Sequence, residues 1–159
     1  PSGSWHVLNA APSAPFAGAA DALLTVIDVL IVNEHEALEI ADETDLDRAV
    51  DALSARVRAV VVTLGAKGSL VVVAGERVEV AAVRADAVDT TGAGDTFCGV
   101  LTARLEASGR RPDEADACLL ADAAKWGAAA SAISVTRPGA QDAVPTATEV
   151  AHLRLESEQ

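Results

Sequence analysis

The chain holds 159 residues, 50% apolar and 3% aromatic, which suits one domain with a core of alanine, valine and leucine. Its 24 acids against 12 bases give a formal charge of −12, which would repel a phosphate backbone and excludes nucleic acid as an expected partner. No run reaches the roughly 18 apolar residues of a membrane span and no basic start leads into an apolar stretch, so a cytoplasmic protein with no membrane partner is expected.

Cys98 and Cys118 lack zinc-type spacing and sit in helical patterns, where both are expected as small buried hydrophobes in a reduced protein. The chain opens on PSGSWHVLN and contains no methionine, which leads to the expectation of a processed or partial chain.

In chain order, His6 to Asn9 (HVLN) reads as the end of a strand, cut off by AAPSAP, where Pro12 and Pro15 force an extended loop. A weak helix is expected over Phe16 to Thr25. Val26 to Asn33 (VIDVLIVN) is a β-branched run of the kind found in strands covered on both faces. It leads into NEHEALEIA, whose acids favour a helix N-terminus.

Asp45 to Val57 places Leu46, Ala49, Val50 and Leu53 on one helical face. Ala59 to Leu64 (AVVVTL) is a second buried strand, and Gly65 to Gly68 (GAKG) is its turn. SLVVVA and RVEVAAV flank Gly75-Glu76 as a hairpin, with alternation in the second arm that leaves one face wet. A helix is expected from about Gly94 to Ser108, another from Pro112 to about Ala132 with the proline at its first position, and a last short one over Thr146 to Leu155. Covered strands interleaved with helices point to an α/β layer architecture.

Three turns fall at strand C-termini or helix starts, where open α/β sheets place ligands: Asn33 to Glu36, Thr63 to Gly68, and Asp89 to Asp95. In Thr91-Gly92-Ala93-Gly94-Asp95 the small residues let backbone N–H groups approach an anion, and the following helix adds its positive end. The residues alone leave a second reading open, a glycine-rich helix start with Asp95 as a capping acid. Glu36 taken alone is an ordinary first-turn glutamate, Lys67 a solvated lysine and Ala128 a packing alanine. A dinucleotide fingerprint fails because Phe97 stands where its third glycine belongs, and GAKGS lacks the Walker spacing.

VDTTGAGDTF closely resembles the C-terminal signature of the ribokinase-like (pfkB) carbohydrate kinases. IVNEHE resembles that family's N-x-x-E magnesium motif, VVTLGAKGSLV its nucleotide loop, and AISVTRPGAQDAVP the T-R-x-G-A-Q segment of the ribokinase branch. These motifs occur in the family's order over nearly the whole chain.

The resemblance implies a ribokinase-like three-layer α/β/α fold, with a mostly parallel sheet plus a β-hairpin, and residues 1–159 as the C-terminal ATP-binding part. It implies Asp95 as the base facing a sugar hydroxyl and the amides around Gly92, Ala93 and Gly94 as the hole for the transferring phosphoryl group. Such a carboxylate serves more to orient the hydroxyl than to pull hard on its proton, because the nucleophile loses it late. Asn33 and Glu36 correspond to the magnesium motif, Thr63, Gly65, Lys67 and Gly68 to the nucleotide loop, and Ala128 to an adenine-pocket position. A potassium site carries over onto Asp89, Thr91, Ser134, Arg137 through its carbonyl, and Gly139. Ala143 stands where many relatives have serine, which implies a site one side-chain ligand short or completed by water.

The expected cofactors are therefore ATP, Mg2+ and K+, and the expected reaction is phosphorylation of a sugar, most readily D-ribose, with fructokinase-like and nucleoside kinases as alternatives. The family's sugar-binding segments and lid have no counterpart in these residues. This chain alone is accordingly expected to be inactive and to self-associate through an exposed sheet edge, the full-length enzyme to be a homodimer, and a non-catalytic nucleotide-binding module is the competing reading.

Overall fold

A computed structural model describes residues 3–13 and 20–157. Five strands form one sheet in the order β1-β2-β3-β4-β5: β1 (Val7–Asn9), β2 (Val29–Asn33), β3 (Ala59–Thr63), β4 (Ser69–Val73) and β5 (Glu76–Val80). β1, β2 and β3 run parallel, and β4 and β5 join them as an antiparallel hairpin.

The alternation of side chains along β2 and β3 explains why both strands are apolar throughout. Val29, Ile31, Ala59 and Val61 belong to a core on one face of the sheet, shared with Phe97, Leu101, Leu105 and Leu120. Leu30, Val32, Val60 and Val62 belong to a core on the other, shared with Ala37, Val50 and Leu53. The first face is covered by α4 (Ala93–Ala107) and α5 (Ala117–Ser134), the second by α1 (Ala20–Leu24), α2 (Glu34–Ala41) and α3 (Leu46–Ser54). This is the expected three-layer α/β/α arrangement. A smaller cluster of Ala129, Ala130 and Val150 seats α6 (Ala147–Ser157) on α5. Trp126 is stacked by the Arg104 guanidinium, 4.3 Å from the ring centroid, and by that of Arg154 at 5.6 Å, which ties α4, α5 and α6 together.

Several expectations shift. Residues 14–19 lie outside the described residues, and of the helix expected over Phe16 to Thr25 the structure describes α1. The strand expected from Val26 begins at Val29, because Val26 closes a turn onto Leu23 and Asp28 binds the N–H of His6 through its side chain at 2.8 Å. The hairpin turns on Ala74 and Gly75, both at positive φ, rather than on Gly75-Glu76. The expected wet face of β5 is present, with Glu79 exposed and Val80 buried.

The helix expected from Pro112 is divided. Pro112–Glu114 is one 3-10 turn, the chain extends at Ala115, and Asp116 starts α5 by accepting the N–H of Leu119 at 2.7 Å. A capping aspartate inside an apolar helical pattern outweighs the proline signal upstream. Cys118, expected buried, is exposed on the first turn of α5, whereas Cys98 is half-buried.

Candidate functional site

The register of β2 and β3 sets Asn33 directly beside Thr63, so two of the three candidate turns leave the same end of the sheet. Asn33 caps α2: its Oδ1 accepts the N–H of Glu36 at 2.8 Å, and its own N–H donates to Glu36 Oε2 at 2.8 Å. The N-x-x-E pattern is thus also a reciprocal capping box. Glu36 is buried to 7% exposure, and its Oε1 takes no hydrogen bond among the described residues.

The turn after β3 is closed by Leu64 N–H on Gly68 O at 2.8 Å and by Gly68 N–H on Gly65 O at 3.0 Å. Gly68 has φ +103°, and a Cβ there would lie 2.0 Å from the carbonyl oxygen of Val80, so only glycine fits against the end of β5. Lys67 is exposed on this turn.

At the start of α4, Gly92 is the N-cap in the left-handed region at φ +76°, with space for a Cβ limited by Ala140 Cβ at 3.1 Å. Gly92 O accepts the N–H of Thr96 at 2.9 Å, and the N–H of Ala93 is engaged by Thr90 O at 3.2 Å. The N–H groups of Gly94 and Asp95 have no acceptor among the described residues. Two free amides and the positive helix end therefore coincide, the arrangement that binds an anion. Asp95 is exposed in this first turn, and its Oδ1 accepts Asn9 Nδ2 at 3.4 Å.

The third turn is held by Asp89. Its Oδ1 accepts Thr91 N–H and its Oδ2 accepts Gly139 N–H, each at 2.9 Å, which fastens the loop before α4 to the loop after α5. The Thr91 hydroxyl first, then the N–H groups of Thr91 and Gly139, hold its carboxyl down to about 2. Ser134 is buried, with its hydroxyl donating to Ser131 O at 2.9 Å, and the Arg137 guanidinium pairs with Glu149 on α6. Ala143 is fully buried.

Hard oxygens at Asn33, Glu36, Asp89 and Thr91 suit magnesium and potassium by chemical type. Among the described residues no group of three His, Cys, Asp or Glu side chains could hold a metal ion. A cation here would thus lean on carbonyls, water and the ligand's own phosphates.

A cleft of about 920 Å³ collects many of these residues. Thr63, Gly65, Lys67 and Gly68 line one side, Ala93 and Gly94 another, and Phe97, Ala128 and Ser131 contribute apolar and small surface between them. Arg84 and Asp86, from the segment between β5 and α4, complete the wall. Asn33, Glu36, Asp95 and the Asp89–Gly139 tie lie outside this lining. Asn9, Arg84, Asp86 and Ser131 were not singled out by sequence; none stands in a spaced motif, and only the fold brings them here.

Residues 3–147 match the model of the pfkB family carbohydrate kinases. The chain belongs to that family. Ribokinase of Haemophilus influenzae is 38% identical over 150 residues, which cover 90% of this chain and 45% of the relative. The solved ribokinase of Giardia lamblia is 34% identical with a TM-score of 0.81, over 94% of this chain and 49% of that one. A fructokinase double mutant of Vibrio cholerae, solved with fructose, ADP and potassium ion, is 27% identical with a TM-score of 0.79, over 88% and 44%. The pfkB chain described here spans about half the length of the curated relatives it matches. In its fold, all the motifs that carried the resemblance stand on the same sheet end or on the loops around it.

Proposed function

We propose that the protein carrying these residues transfers the γ-phosphoryl group of ATP to a hydroxyl of a small sugar, D-ribose by preference, and that residues 1–159 are its C-terminal ATP-binding part. The single observation that carries this reading is the cleft in which the Thr63–Gly68 turn meets the Ala93–Gly94 start of α4 over Ala128. One wall suits a nucleotide, with Ala128 and Phe97 against the base, and the helix start suits its phosphates.

In this reading Asp95 accepts the proton of the attacking sugar hydroxyl as the new O–P bond forms and the bond to ADP breaks. The free amides of Gly94 and Asp95 stabilise the charge on the equatorial oxygens, an electrostatic task that suits fixed backbone donors. Magnesium, when bound, neutralises phosphate charge, and Asn33 and Glu36 would hold it in part through water. Asp89, Thr91, Ser134, Arg137 and Gly139 would hold a potassium ion, and the tie between Asp89 and Gly139 sets that loop beside the anion hole. The fructokinase solved with ADP and potassium ion is similar over most of this chain, which supports a nucleotide and potassium here.

D-ribose rests on the ribokinase similarity and on the T-R-x-G-A-Q segment; the residues that choose the sugar are expected outside this chain. The test is ADP release by the intact gene product with ATP and Mg2+, in the presence of D-ribose, D-fructose or a nucleoside, with and without K+. Turnover with ribose above the others is expected. ATP binding without transfer to any sugar would replace this reading with a non-catalytic nucleotide module.

A further inference from the structure

α5 is alanine at Ala128, Ala129, Ala130 and Ala132, and the interruption at Ser131 has a partner outside the helix. The Ser131 hydroxyl donates to the carbonyl oxygen of Ala93, on α4, at 2.8 Å. Alanine is the better helix former and the smaller side chain, so helix stability and packing do not call for a serine at this position. A regular helix already supplies that carbonyl with the N–H four residues on, so the hydroxyl is a second donor and not the rescue of an orphaned acceptor.

The Ala93 carbonyl and the Gly94 N–H are two ends of one planar peptide unit. Fixing the oxygen therefore fixes the opposed N–H, which has no acceptor among the described residues and belongs to a residue lining the cleft. A hydrogen bond accepted by a peptide oxygen also polarises the unit and makes its N–H a stronger donor. The anchor is rigid, because α5 lies hard against α4: a Cβ at Gly127 would come within 2.9 Å of the Phe97 ring.

From this geometry we infer that Ser131 is a positioning residue for phosphoryl transfer, acting through the Ala93–Gly94 peptide unit to aim and polarise the Gly94 N–H toward the transferring group. The inference rests on the kinase reading above. Ser131 does not touch the phosphoryl group itself in this account; its hydroxyl is spent on Ala93. The effect should concentrate in the transition state, where charge on the phosphoryl oxygens is met by fixed donors.

The experiment uses the intact gene product with Ser131→Ala and Ser131→Thr, read by steady-state kinetics and by the amide resonance of Gly94 after 15N-glycine labelling. Ser131→Ala should lower kcat about three- to tenfold, less than outright removal of an oxyanion donor, with KM for ATP and sugar within about twofold. Its Gly94 resonance should move upfield, and Ser131→Thr, which restores a hydroxyl, should return both the resonance and most of kcat. Unchanged kcat and an unmoved Gly94 resonance in Ser131→Ala would overturn the inference, as would a threonine variant no better than the alanine one. If the wild-type protein phosphorylates no sugar, the kinase reading falls, and the Gly94 resonance still decides whether Ser131 controls that peptide unit.

Discussion

Asn9 Nδ2 donates to Asp95 Oδ1 at 3.4 Å, joining the end of an edge strand to the first turn of α4 across 86 positions of sequence. The contact is long and exposed, so it contributes little to stability. It distinguishes the two carboxylate oxygens: one faces an amide donor, and in the proposed reaction the other is left for the sugar hydroxyl. A base whose carboxylate is turned correctly before substrate arrives loses less on forming the reactive geometry.

Asp95→Asn should lower kcat by about 10²–10⁴, the usual span for a positioned acid–base group, while ATP affinity persists. Asn9→Ala should lower kcat by at most about tenfold with KM for ATP unchanged, since it removes only an orienting contact. Steady-state kinetics on the intact protein check both. Full turnover in Asp95→Asn would remove Asp95 from the role of base, and an Asn9→Ala effect confined to ATP binding would show that Asn9 acts elsewhere.

Glu36 closes the capping box of α2 and is proposed to help hold magnesium, and two substitutions divide these tasks. Glu36→Gln keeps an oxygen for the Asn33 N–H and so preserves the capping box, but removes the charge proposed for magnesium. Its thermal midpoint should stay near wild type while the Mg2+ requirement rises by about tenfold or more. Glu36→Ala should show the same rise plus about 1 kcal/mol of lost stability from the broken cap. Magnesium titration of activity beside thermal unfolding decides; an unaltered Mg2+ requirement in Glu36→Gln would leave the capping box as this residue's whole function.

The sheet was legible because its strands are covered twice. The uninterrupted apolar runs of β2 and β3 need apolar neighbours on both faces, and α2–α3 on one side and α4–α5 on the other supply them. The glycine-rich turns were legible for a similar reason: Gly68 and Gly92 sit where positive φ or a neighbouring backbone leaves no room for a side chain. The break before α5 was misread because Asp116 looks like a polar interior position until its bond to Leu119 N–H is seen. Asn9 and Ser131 carry no local signal at all. Each matters through a partner 86 or 38 positions away, and a single chain's spacing holds no record of such a pairing.

Two helical glycines should respond oppositely to alanine. At Gly99, on the exposed side of α4, a Cβ meets nothing within 4 Å, so Gly99→Ala should stabilise by roughly 0.5–1 kcal/mol through helix propensity. At Gly127 the Cβ would meet the Phe97 ring at 2.9 Å and the Phe97 carbonyl oxygen at 3.0 Å. There overpacking of about 1–3 kcal/mol outweighs the same propensity gain. Thermal unfolding should raise the midpoint for Gly99→Ala and lower it for Gly127→Ala. Because Phe97 lines the cleft and stands two residues after Asp95 on α4, Gly127→Ala should also reduce kcat; a more stable and fully active Gly127→Ala would show that α4 and α5 have slack at their crossing.

Acid should loosen the two ties around the C-terminal loop. Asp89 is held from 3.8 down to about 2 by the Thr91 hydroxyl and the N–H groups of Thr91 and Gly139. Glu149 is held from 4.5 down to about 2, first by the Arg137 guanidinium and then by the N–H and hydroxyl of Thr146. A carboxyl whose folded value lies below its unfolded one adds stability that is complete above the unfolded value and is lost as pH falls toward the folded one. Both contributions should therefore be intact at pH 5 and should fade between roughly pH 4.5 and 2. Replacing either acid by its amide should flatten the fall of the thermal midpoint over that window. The two differ in their response to salt: the Arg137–Glu149 pair is half-exposed and should weaken in 1 M salt, where the screening length is about 3 Å, while Asp89 bonded to N–H and hydroxyl groups should hold. Midpoints measured against pH at low and high salt for Asp89→Asn and Glu149→Gln separate the cases. An acid-induced fall as steep in Asp89→Asn as in wild type would mean that the Asp89–Gly139 tie is not what fastens the two loops.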